Sequence, residues 1–266
     1  NEDNHDNLGN FFMFKKAVFA AVLSQFVSVA DHAFAQETKA PPVSENFQDV
    51  SAGKKKILDM IRQGVVIIKT KAFASTTETN KSVWSGTGFI IDKEKGLIVT
   101  NKHVAGDLSV CSYTVKFADG TTTEAHLKYA DPLYDFAFLS LDTSKLPLDT
   151  IALELNDNPA HINDTIYAMG NSAGDEFSTY LGTISSVYEN IGPFAEQSFK
   201  FSGLTVPGAS GSPVFDQQGK VVGLIYGGKF VSGLALPINY IQDAFIALKE
   251  GKIPARKSLG MACGYK

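Results

Sequence analysis

The chain has 266 residues, and its 24 Lys and Arg side chains against 28 Asp and Glu give a formal net charge of −4. A chain so close to neutral lacks the electrostatic footprint of a nucleic-acid-binding protein, so we expect no nucleic-acid partner, and its length suits one domain plus a linker. No C-x-x-C or H-E-x-x-H spacing indicates a metal site, so we expect neither a metal nor a cofactor.

Residues 1–35 are predicted to be an upstream segment followed by a signal peptide. Lys15 and Lys16 precede an apolar run that starts at Ala17, and Ala33-Phe34-Ala35 has the small-residue pattern of a cleavage site. The alternative is an uncleaved anchor, but the run is shorter than the roughly 20 residues that span a bilayer. We therefore expect no membrane span after cleavage, and a bacterial protein that is periplasmic or secreted.

The next segment, 36–56, is polar, contains Pro41-Pro42 and is predicted to be a linker that leads into a short helix at about 55–62. Short β-branched runs then alternate with Gly- and Asp-containing turns, and this alternation of predicted strands and turns is typical of an all-β barrel or sandwich. A last helix is expected at about 238–249 and ends at Gly251.

The stretch from Pro207 to Pro213, P-G-A-S-G-S-P, places a serine among glycines just ahead of an apolar strand. A serine that attacks a carbonyl needs an exposed hydroxyl on a tight turn, with free backbone N–H groups nearby for the oxyanion, and glycine permits such a turn. Ser210 is therefore the candidate nucleophile. Gly, Ser and Pro are also the ordinary residues of inert turns, and that alternative stays open at this point.

The positions of the histidines restrict the choice of nucleophile and base. Ser172, in the segment 170–174, matches the G-x-S-x-G elbow of α/β-hydrolases, but that fold needs a histidine after the serine and this chain has none. Ser210 needs a base that precedes it. Outside the predicted leader, the candidates are His103, His126 and His161.

His103 is the best-placed base, because it ends a β-branched run where a strand gives way to a loop. His126 alternates with apolar residues and is predicted on the solvated face of a strand, and His161 lies in a polar turn. Asp135 stands at the mouth of a buried strand, where it can accept a hydrogen bond from a histidine Nδ1–H. The alternatives are a structural histidine and an aspartate that only caps a turn.

Four segments of the chain resemble, in order, the signature blocks of trypsin-like serine peptidases of the HtrA/Deg branch. Met169-Gly170-Asn171-Ser172 is similar to the G-N-P-x-G block of HtrA proteins, and Gly233-Leu234-Ala235-Leu236-Pro237-Ile238 to their G-F-A-I-P block. The four segments are S-G-T-G-F-I-I at 85–91, V-T-N-K-H-V at 99–104, D-P-L-Y-D-F-A at 131–137 and G-A-S-G-S-P at 208–213.

This resemblance implies two six-stranded antiparallel β-barrels over residues 57–250 with a C-terminal helix. It implies that Ser210 is the nucleophile, His103 the general base and Asp135 its orienting acid, with the N–H groups of Gly208 and Ser210 as the oxyanion hole. It further implies polypeptide substrates that are unfolded or misfolded, and a homotrimer. Within the predicted tail, 251–266, the segment P-A-R-K-S-L-G-M at 254–261 resembles the junction at which HtrA proteins enter a first PDZ domain.

The chain also departs from the HtrA pattern. HtrA proteins usually have G-N-S-G-G at the nucleophile, whereas G-A-S-G-S-P is closer to bacterial glutamyl endopeptidases. Those enzymes bind glutamate with a threonine and a histidine; Thr205 matches the threonine, but Ile225 stands at the place of the histidine. An apolar side chain cannot pair a buried carboxylate, so glutamate specificity is disfavoured.

The resemblance assigns five substrate-binding positions near the nucleophile: Leu204, Thr205, Ile225, Tyr226 and Gly227. Leu204 resembles the position at the base of the primary specificity pocket, and a leucine there favours a small or medium apolar side chain at P1, the substrate residue before the cleaved bond.

Two interpretations of the function follow. The first is a serine endopeptidase that works through an acyl-enzyme; the second is a protein-binding or holdase module with the same fold and no chemistry, because a fold alone does not specify function. The sequence leaves open whether Cys111 pairs with Cys263, the other cysteine of the chain.

Overall fold

The computed structural model describes residues 52–74, 83–106, 110–189, 198–203, 205–229 and 231–255. The predicted signal peptide, most of the predicted linker, the tail beyond residue 255, Leu204 and Cys263 lie outside the described residues. None of the described helices is long and apolar enough to cross a membrane.

The strands in the described part of the chain close into two barrels, each antiparallel and six-stranded. The first has the order β1-β2-β3-β6-β5-β4 and the second the order β10-β11-β12-β9-β8-β7. The predicted all-β fold of two six-stranded antiparallel barrels with a C-terminal helix is therefore confirmed. The strands are β1 Val65–Ala74, β2 Val83–Asp92, β3 Leu97–Thr100, β4 Val110–Lys116, β5 Thr122–Ala130, β6 Ala137–Leu141, β7 Thr165–Ser172, β8 Asp175–Glu189, β9 Ser198–Ser202, β10 Pro213–Phe215, β11 Val221–Lys229 and β12 Ser232–Pro237.

The helices flank the barrels. They are α1 Ala52–Arg62, α2 Lys102–Ala105 and α3 Asn239–Lys249, with one 3₁₀ turn at Thr143–Lys145. In α3 the buried side chains are Ile241, Ala244 and Leu248, at the spacing of one helical face.

The short helix predicted at about 55–62 is present as α1, which begins earlier than predicted, at Ala52. The reason is that Ile57, Leu58 and Ile61 form an apolar stripe that packs against the core. The lysines just before that stripe are good helix formers, so the helix extends through them on its exposed side.

The apolar side chains form one cluster inside each barrel and a third between the barrels. Strand β3 shows why, since all four of its residues are buried: Ile98 faces the interior of the first barrel, whereas Leu97 and Val99 belong to the cluster between the barrels. A strand that is buried on both faces reads as a continuous apolar run. Loops that leave such strands therefore emerge at the junction of the two barrels, where the candidate site lies.

Candidate active site

The candidate base lies on the short helix α2, directly after the buried strand β3. His103 keeps 47% of its side chain exposed, whereas Val104 and Ala105 of the same helical turn are buried. The chain therefore turns from a buried strand into one helical turn that presents the imidazole at the surface of the junction.

Side chains from three strands of the first barrel hold the end of α2. The carbonyl of Val104 accepts hydrogen bonds from Thr70 Oγ1 at 2.8 Å and from Trp84 Nε1 at 3.0 Å. The carbonyl of Ala105 accepts from the Tyr113 hydroxyl at 2.7 Å. Burial raises the pKa of Tyr113 to about 12, so this hydroxyl stays a donor near neutral pH.

Asp135 holds His103 at two atoms. Its Oδ1 accepts the backbone N–H of His103 at 3.0 Å, and its Oδ2 lies 2.7 Å from the imidazole Nδ1. The carboxylate is only 2% exposed, and the Asn101 amide donates to the Asp135 carbonyl at 2.8 Å. Because a carboxylate accepts, the proton of the neutral ring resides on Nδ1 and Nε2 is left as the basic nitrogen.

Asp131 stabilises the turn that positions Asp135. Its Oδ1 accepts the backbone N–H groups of Leu133 at 3.0 Å and Tyr134 at 2.9 Å, and its Oδ2 accepts the hydroxyl of Tyr129 at 2.9 Å. The turn-capping aspartate is thus Asp131, four residues before Asp135. Sequence reasoning did not assign this role to Asp131, although an aspartate at the start of a turn is the expected signal.

The candidate nucleophile follows a type II turn. The N–H of Ala209 donates to the carbonyl of Val206 at 3.1 Å, Pro207 occupies the first central position, and Gly208 has φ +96°. A methyl group at Gly208 would lie 2.6 Å from the Asn171 carbonyl oxygen. Both the positive φ and this close approach require glycine.

The first candidate oxyanion donor, the N–H of Gly208, has a fixed orientation. Its peptide plane includes the carbonyl of Pro207, which accepts the backbone N–H of Ala173 at 2.9 Å. The C=O and N–H of a trans peptide point in opposite directions, so the Gly208 N–H points away from Ala173. Among the described residues it has no hydrogen-bond partner.

The second candidate donor, the N–H of Ser210, is fixed in the same way. The carbonyl in its peptide plane, that of Ala209, accepts the N–H of Ser212 at 3.0 Å. The Ser210 N–H also has no hydrogen-bond partner within the described ranges. The turn therefore presents N–H groups at alternate peptides, 207–208 and 209–210, as an oxyanion hole requires.

The helical turn that carries the base and the backbone of the nucleophile both pack against Gly86 of β2. A methyl group at position 86 would lie 2.6 Å from the side chain of Val104 and 3.2 Å from the carbonyl oxygen of Ser210. In this conformation Ser210 Oγ donates to the carbonyl of Tyr226 at 3.5 Å, and no hydrogen bond joins it to His103 in the described part of the chain. Such contacts are often long or unformed without substrate.

The predicted pocket residues lie on β11 and on the segment before the nucleophile. Ile225 is 1% exposed and packs in the interior of the second barrel, and Tyr226 pairs its hydroxyl with Ser198 Oγ at 2.7 Å. Gly227 is half-buried, with no heavy atom within 4 Å of the place that a methyl group would take. Leu204 lies outside the described residues.

Thr205 packs beside Gly228 of β11. Its hydroxyl donates to the carbonyl of Ser232 at 3.2 Å, and a methyl group at Gly228 would lie 1.8 Å from Thr205 Oγ1. Gly228 was not predicted as a site residue, although the glycine pair that ends β11 is the signal for such a close approach.

The other candidates have different surroundings. His126 is exposed on β5, and His161 is 70% exposed with its Nδ1 at 3.6 Å from Asp164. Ser172 ends β7 at a hairpin turn whose central residues are Ala173 and Gly174, both with positive φ. A turn between two strands is not the strand-to-helix elbow of an α/β-hydrolase. The structure thus joins His103 to Asp135 and places Ser210 beside the same helical turn, across Gly86, whereas Ser172 lies in the hairpin that packs against the nucleophile turn.

Residues 86–224, more than half of the chain, match the trypsin-like peptidase domain family. Curated relatives include the "Pro-apoptotic serine protease NMA111" of Meyerozyma guilliermondii, 29% identical over 84% of this chain and 24% of the relative. The protein of the same name from Yarrowia lipolytica is 29% identical over 80% of this chain and 22% of the relative. The chain thus spans about a quarter of the length of these relatives.

Solved structures share the fold. "HtrA-type protease AlgW with tripeptide" superimposes with a TM-score of 0.62 at 23% identity, covering 75% of this chain and 64% of the other. The Rv3671c protease from M. tuberculosis, in its active form, gives a TM-score of 0.60 at 24% identity and covers 77% of this chain and 86% of the other.

The relatives correct one prediction. They come from fungi, so the expectation of a bacterial periplasmic or secreted protein is wrong. A basic pair, an apolar run and a small-residue cleavage pattern do not by themselves identify an organism, and that is why the motif misled the interpretation.

Proposed function

Because this chain belongs to the trypsin-like peptidase domain family, we propose that it hydrolyses peptide bonds with Ser210 as nucleophile, His103 as general base and Asp135 as the orienting acid. The prediction of a serine endopeptidase is confirmed at the level of the family. The roles of the individual residues, the oxyanion hole of Gly208 and Ser210, and the substrate class are the content of the proposal.

The observation that carries the proposal is the double contact of Asp135 with His103, at 3.0 Å to the backbone N–H and 2.7 Å to Nδ1. One buried carboxylate thereby fixes both the position of the residue and the orientation of its ring. A histidine with only a structural role does not need its ring held with Nε2 left as the basic nitrogen.

The chemistry follows from this geometry. His103 Nε2 takes the proton of Ser210 Oγ as the oxygen attacks the substrate carbonyl carbon, and the N–H groups of Gly208 and Ser210 stabilise the oxyanion. The imidazolium, stabilised by Asp135, gives the proton to the departing amine, which leaves the acyl-enzyme. A water that His103 deprotonates then attacks the ester, and Ser210 regains its proton as the acid product leaves.

The strand next to the nucleophile supports an extended polypeptide as substrate. At Gly227 and Gly228, β11 pairs with β12 along one edge, and its other edge has no strand neighbour among the described residues. An extended peptide can add to such an edge through main-chain hydrogen bonds. Folded proteins rarely present a free extended segment, so we propose unfolded or misfolded polypeptides as the substrate class. The resemblance to HtrA proteins also supports a homotrimer.

A fluorophosphonate probe tests the proposal against the holdase alternative. The probe phosphonylates activated serines with loss of fluoride, so we expect labelling at Ser210, located by peptide mass spectrometry, and none in Ser210→Ala. The reaction is run with and without β-casein as an unfolded substrate. Labelling of Ser172, or of no serine in folded protein under either condition, would refute the proposal. The trimer is tested separately by light scattering, which would then give three times the mass of the chain.

A further inference from the structure

Thr87, on strand β2 of the first barrel, makes contacts to the nucleophile turn that neither the sequence nor the proposed function assigned. It is fully buried. Its backbone N–H donates to the carbonyl of Ser210 at 2.8 Å, and its hydroxyl donates to the carbonyl of Gly208 at 2.9 Å. The same hydroxyl accepts the N–H of Asn171 at 2.9 Å, and the Thr87 carbonyl accepts Thr100 Oγ1 at 2.7 Å.

We propose that Thr87 is a positioning residue for the oxyanion hole, which it orients from the opposite barrel by holding the carbonyls of Gly208 and Ser210. The inference rests on the proposed function, because it concerns the two N–H groups of that turn. Thr87 itself does not touch the reacting atoms.

The direction of each hydrogen bond at the Thr87 hydroxyl is determined. A hydroxyl has one donor and two acceptor sites, and the N–H of Asn171 can only donate. The hydroxyl proton is therefore available for the carbonyl of Gly208. Serine can reproduce both bonds, whereas valine, with the same shape, can reproduce neither. Valine would leave a buried carbonyl and a buried N–H without partners, at a cost of about 1–3 kcal/mol each.

The backbone closes around Thr87, so its position is tightly defined. A methyl group at Gly170 would lie 2.7 Å from Thr87 Oγ1, and one at Gly211 would lie 1.9 Å from the Thr87 carbonyl oxygen. Strand β7 and the segment just after Ser210 therefore approach Thr87 where only glycine leaves room. An interior of this density transmits a change at Thr87 to the turn.

Gly208 is the flexible residue of the turn, and the hydrogen bonds on its two sides limit its movement. The peptides on its two sides are held by different donors, the Pro207 carbonyl by Ala173 and the Gly208 carbonyl by Thr87. The Gly208 carbonyl belongs to the peptide 208–209, which links the two peptides that carry the N–H groups of Gly208 and Ser210. Releasing this carbonyl from Thr87 lets the linking peptide rotate, so the two donors of the oxyanion hole lose their fixed orientation relative to each other.

The test compares Thr87→Val and Thr87→Ser with wild type. Loss of one oxyanion donor costs about 10²–10³ in kcat, and partial misorientation should cost less, so we expect Thr87→Val to lower kcat on an unfolded-protein substrate by about 10–100-fold. KM should stay within about threefold, because the ground state does not use the hole. The second-order rate of fluorophosphonate labelling should fall by a similar factor. Thr87→Ser should stay within about threefold of wild type in every measurement.

Thr100→Val is the matched control. It removes another buried threonine hydroxyl at the same junction, one that donates to the Thr87 carbonyl and not to the turn. We expect it to lower the melting temperature by less than Thr87→Val does, because it removes one buried hydrogen bond and not two, with kcat within about threefold of wild type. A merely structural role for Thr87 would make the two valine variants alike in kcat.

Three results would overturn the assignment: an unchanged kcat in folded Thr87→Val, an equal loss in Thr100→Val, or a loss of tenfold or more in Thr87→Ser. Because serine keeps both bonds, the last result is decisive even where Thr87→Val fails to fold. Failure of the wild type to label at Ser210 would overturn the proposed function and, with it, the role of Thr87. Normal labelling of wild type with equal rates in all variants would overturn only the role of Thr87.

Discussion

The two halves of the candidate site are held in different ways. The base half, His103 and Asp135, lies within the first barrel and is held by a carboxylate with two hydrogen bonds to one residue. The nucleophile half, residues 206–210, contains no charged group and is held by its own backbone carbonyls. Their donors come from the turn itself, from the β7–β8 hairpin and from Thr87 of the other barrel.

This difference determines how easily a substitution displaces each half. Hydrogen bonds to charged groups contribute about 1.5–3 kcal/mol, and neutral ones about 0.5–1.5 kcal/mol. The base half is therefore the more strongly fixed, and changing it alters the chemical step itself. The nucleophile half is the more easily reoriented, so its geometry depends on contacts between the barrels.

The largest effect is expected from removing either reacting side chain. Ser210→Ala and His103→Ala should each lower kcat on an unfolded-protein substrate by several orders of magnitude, up to about 10⁶-fold, because the residues act as one unit. The double variant should be no slower than either single variant. His126→Ala and His161→Ala are the controls and should keep wild-type kcat; an equal loss in His126→Ala with folding intact would mean that the base is misassigned.

The second effect isolates the buried carboxylate. Asp135→Asn should lower kcat about 10⁴-fold, because an amide donates to Nδ1 and the ring then holds its proton on Nε2. Asp164→Asn is the matched control, since Asp164 also faces a histidine, at 3.6 Å and exposed to solvent. Exposed pairs of this kind contribute about 0–1 kcal/mol, so that variant should be fully active. Comparable losses in both variants would remove the distinction between the two His–Asp pairs.

The base half could be predicted from sequence because its signals are local. His103 follows the buried apolar strand β3, and Asp135 precedes the buried apolar strand β6. These two strands are antiparallel neighbours in one barrel, so the end of the first lies beside the start of the second. The barrels themselves were predictable from the order of the family blocks. The role of Asp131 was not recognised because its residue type fits a turn cap and a catalytic acid equally well.

The nucleophile half was predictable only in part. Ser210 and Gly208 were predicted from their own turn, but the hydrogen bond from Thr87 to Gly208 joins residues 121 positions apart. Nothing in the pattern around Thr87 indicates that contact, because it arises only when the second barrel packs on the first. The hydrogen bond from the N–H of Ala173, in the β7–β8 hairpin, to the carbonyl of Pro207 is likewise not indicated by any local pattern.

A third prediction concerns the pocket of the second barrel. The described pocket positions, Thr205, Ile225, Tyr226 and Gly227, carry no charge, and the buried Ile225 cannot pair a charged substrate group. Cleavage should therefore prefer Val, Ala, Leu or Ile at P1 over Glu, Lys or Arg. The preference should exceed the roughly 10–200-fold of a single methylene, because burying an unpaired charge costs more.

Mass-spectrometric profiling of cuts in a denatured protein measures this preference. A majority of cuts after Glu would support the glutamyl endopeptidase alternative, with Thr205 as its pocket threonine. A majority after Lys or Arg would mean that an acidic group reaches the pocket. The Ser210→Ala variant, processed in parallel, identifies cuts made by contaminating proteases.

The smallest effect separates the orientation of the nucleophile turn from its stability. Ala173, whose N–H anchors Pro207, has φ +51°, a left-handed conformation that costs an L-residue about 1–2 kcal/mol. Glycine removes this cost, but its greater conformational entropy in the unfolded chain lowers stability by about 0.4–1 kcal/mol. Ala173→Gly should therefore raise stability by up to about 1 kcal/mol, or about 2–4 °C in melting temperature. The N–H remains, so fluorophosphonate labelling should proceed at the wild-type rate.

Gly174→Ala is the matched control in the same turn. Gly174 has φ +93° and open space around it, so a methyl group there adds backbone strain without a clash and should lower the melting temperature. Opposite shifts in the two variants, with labelling rates unchanged, would show that the hairpin anchors Pro207 through its N–H alone. A slower labelling rate in Ala173→Gly would show instead that the strained alanine itself keeps the donor aligned, and the nucleophile half would then depend on stored strain as well as on hydrogen bonds.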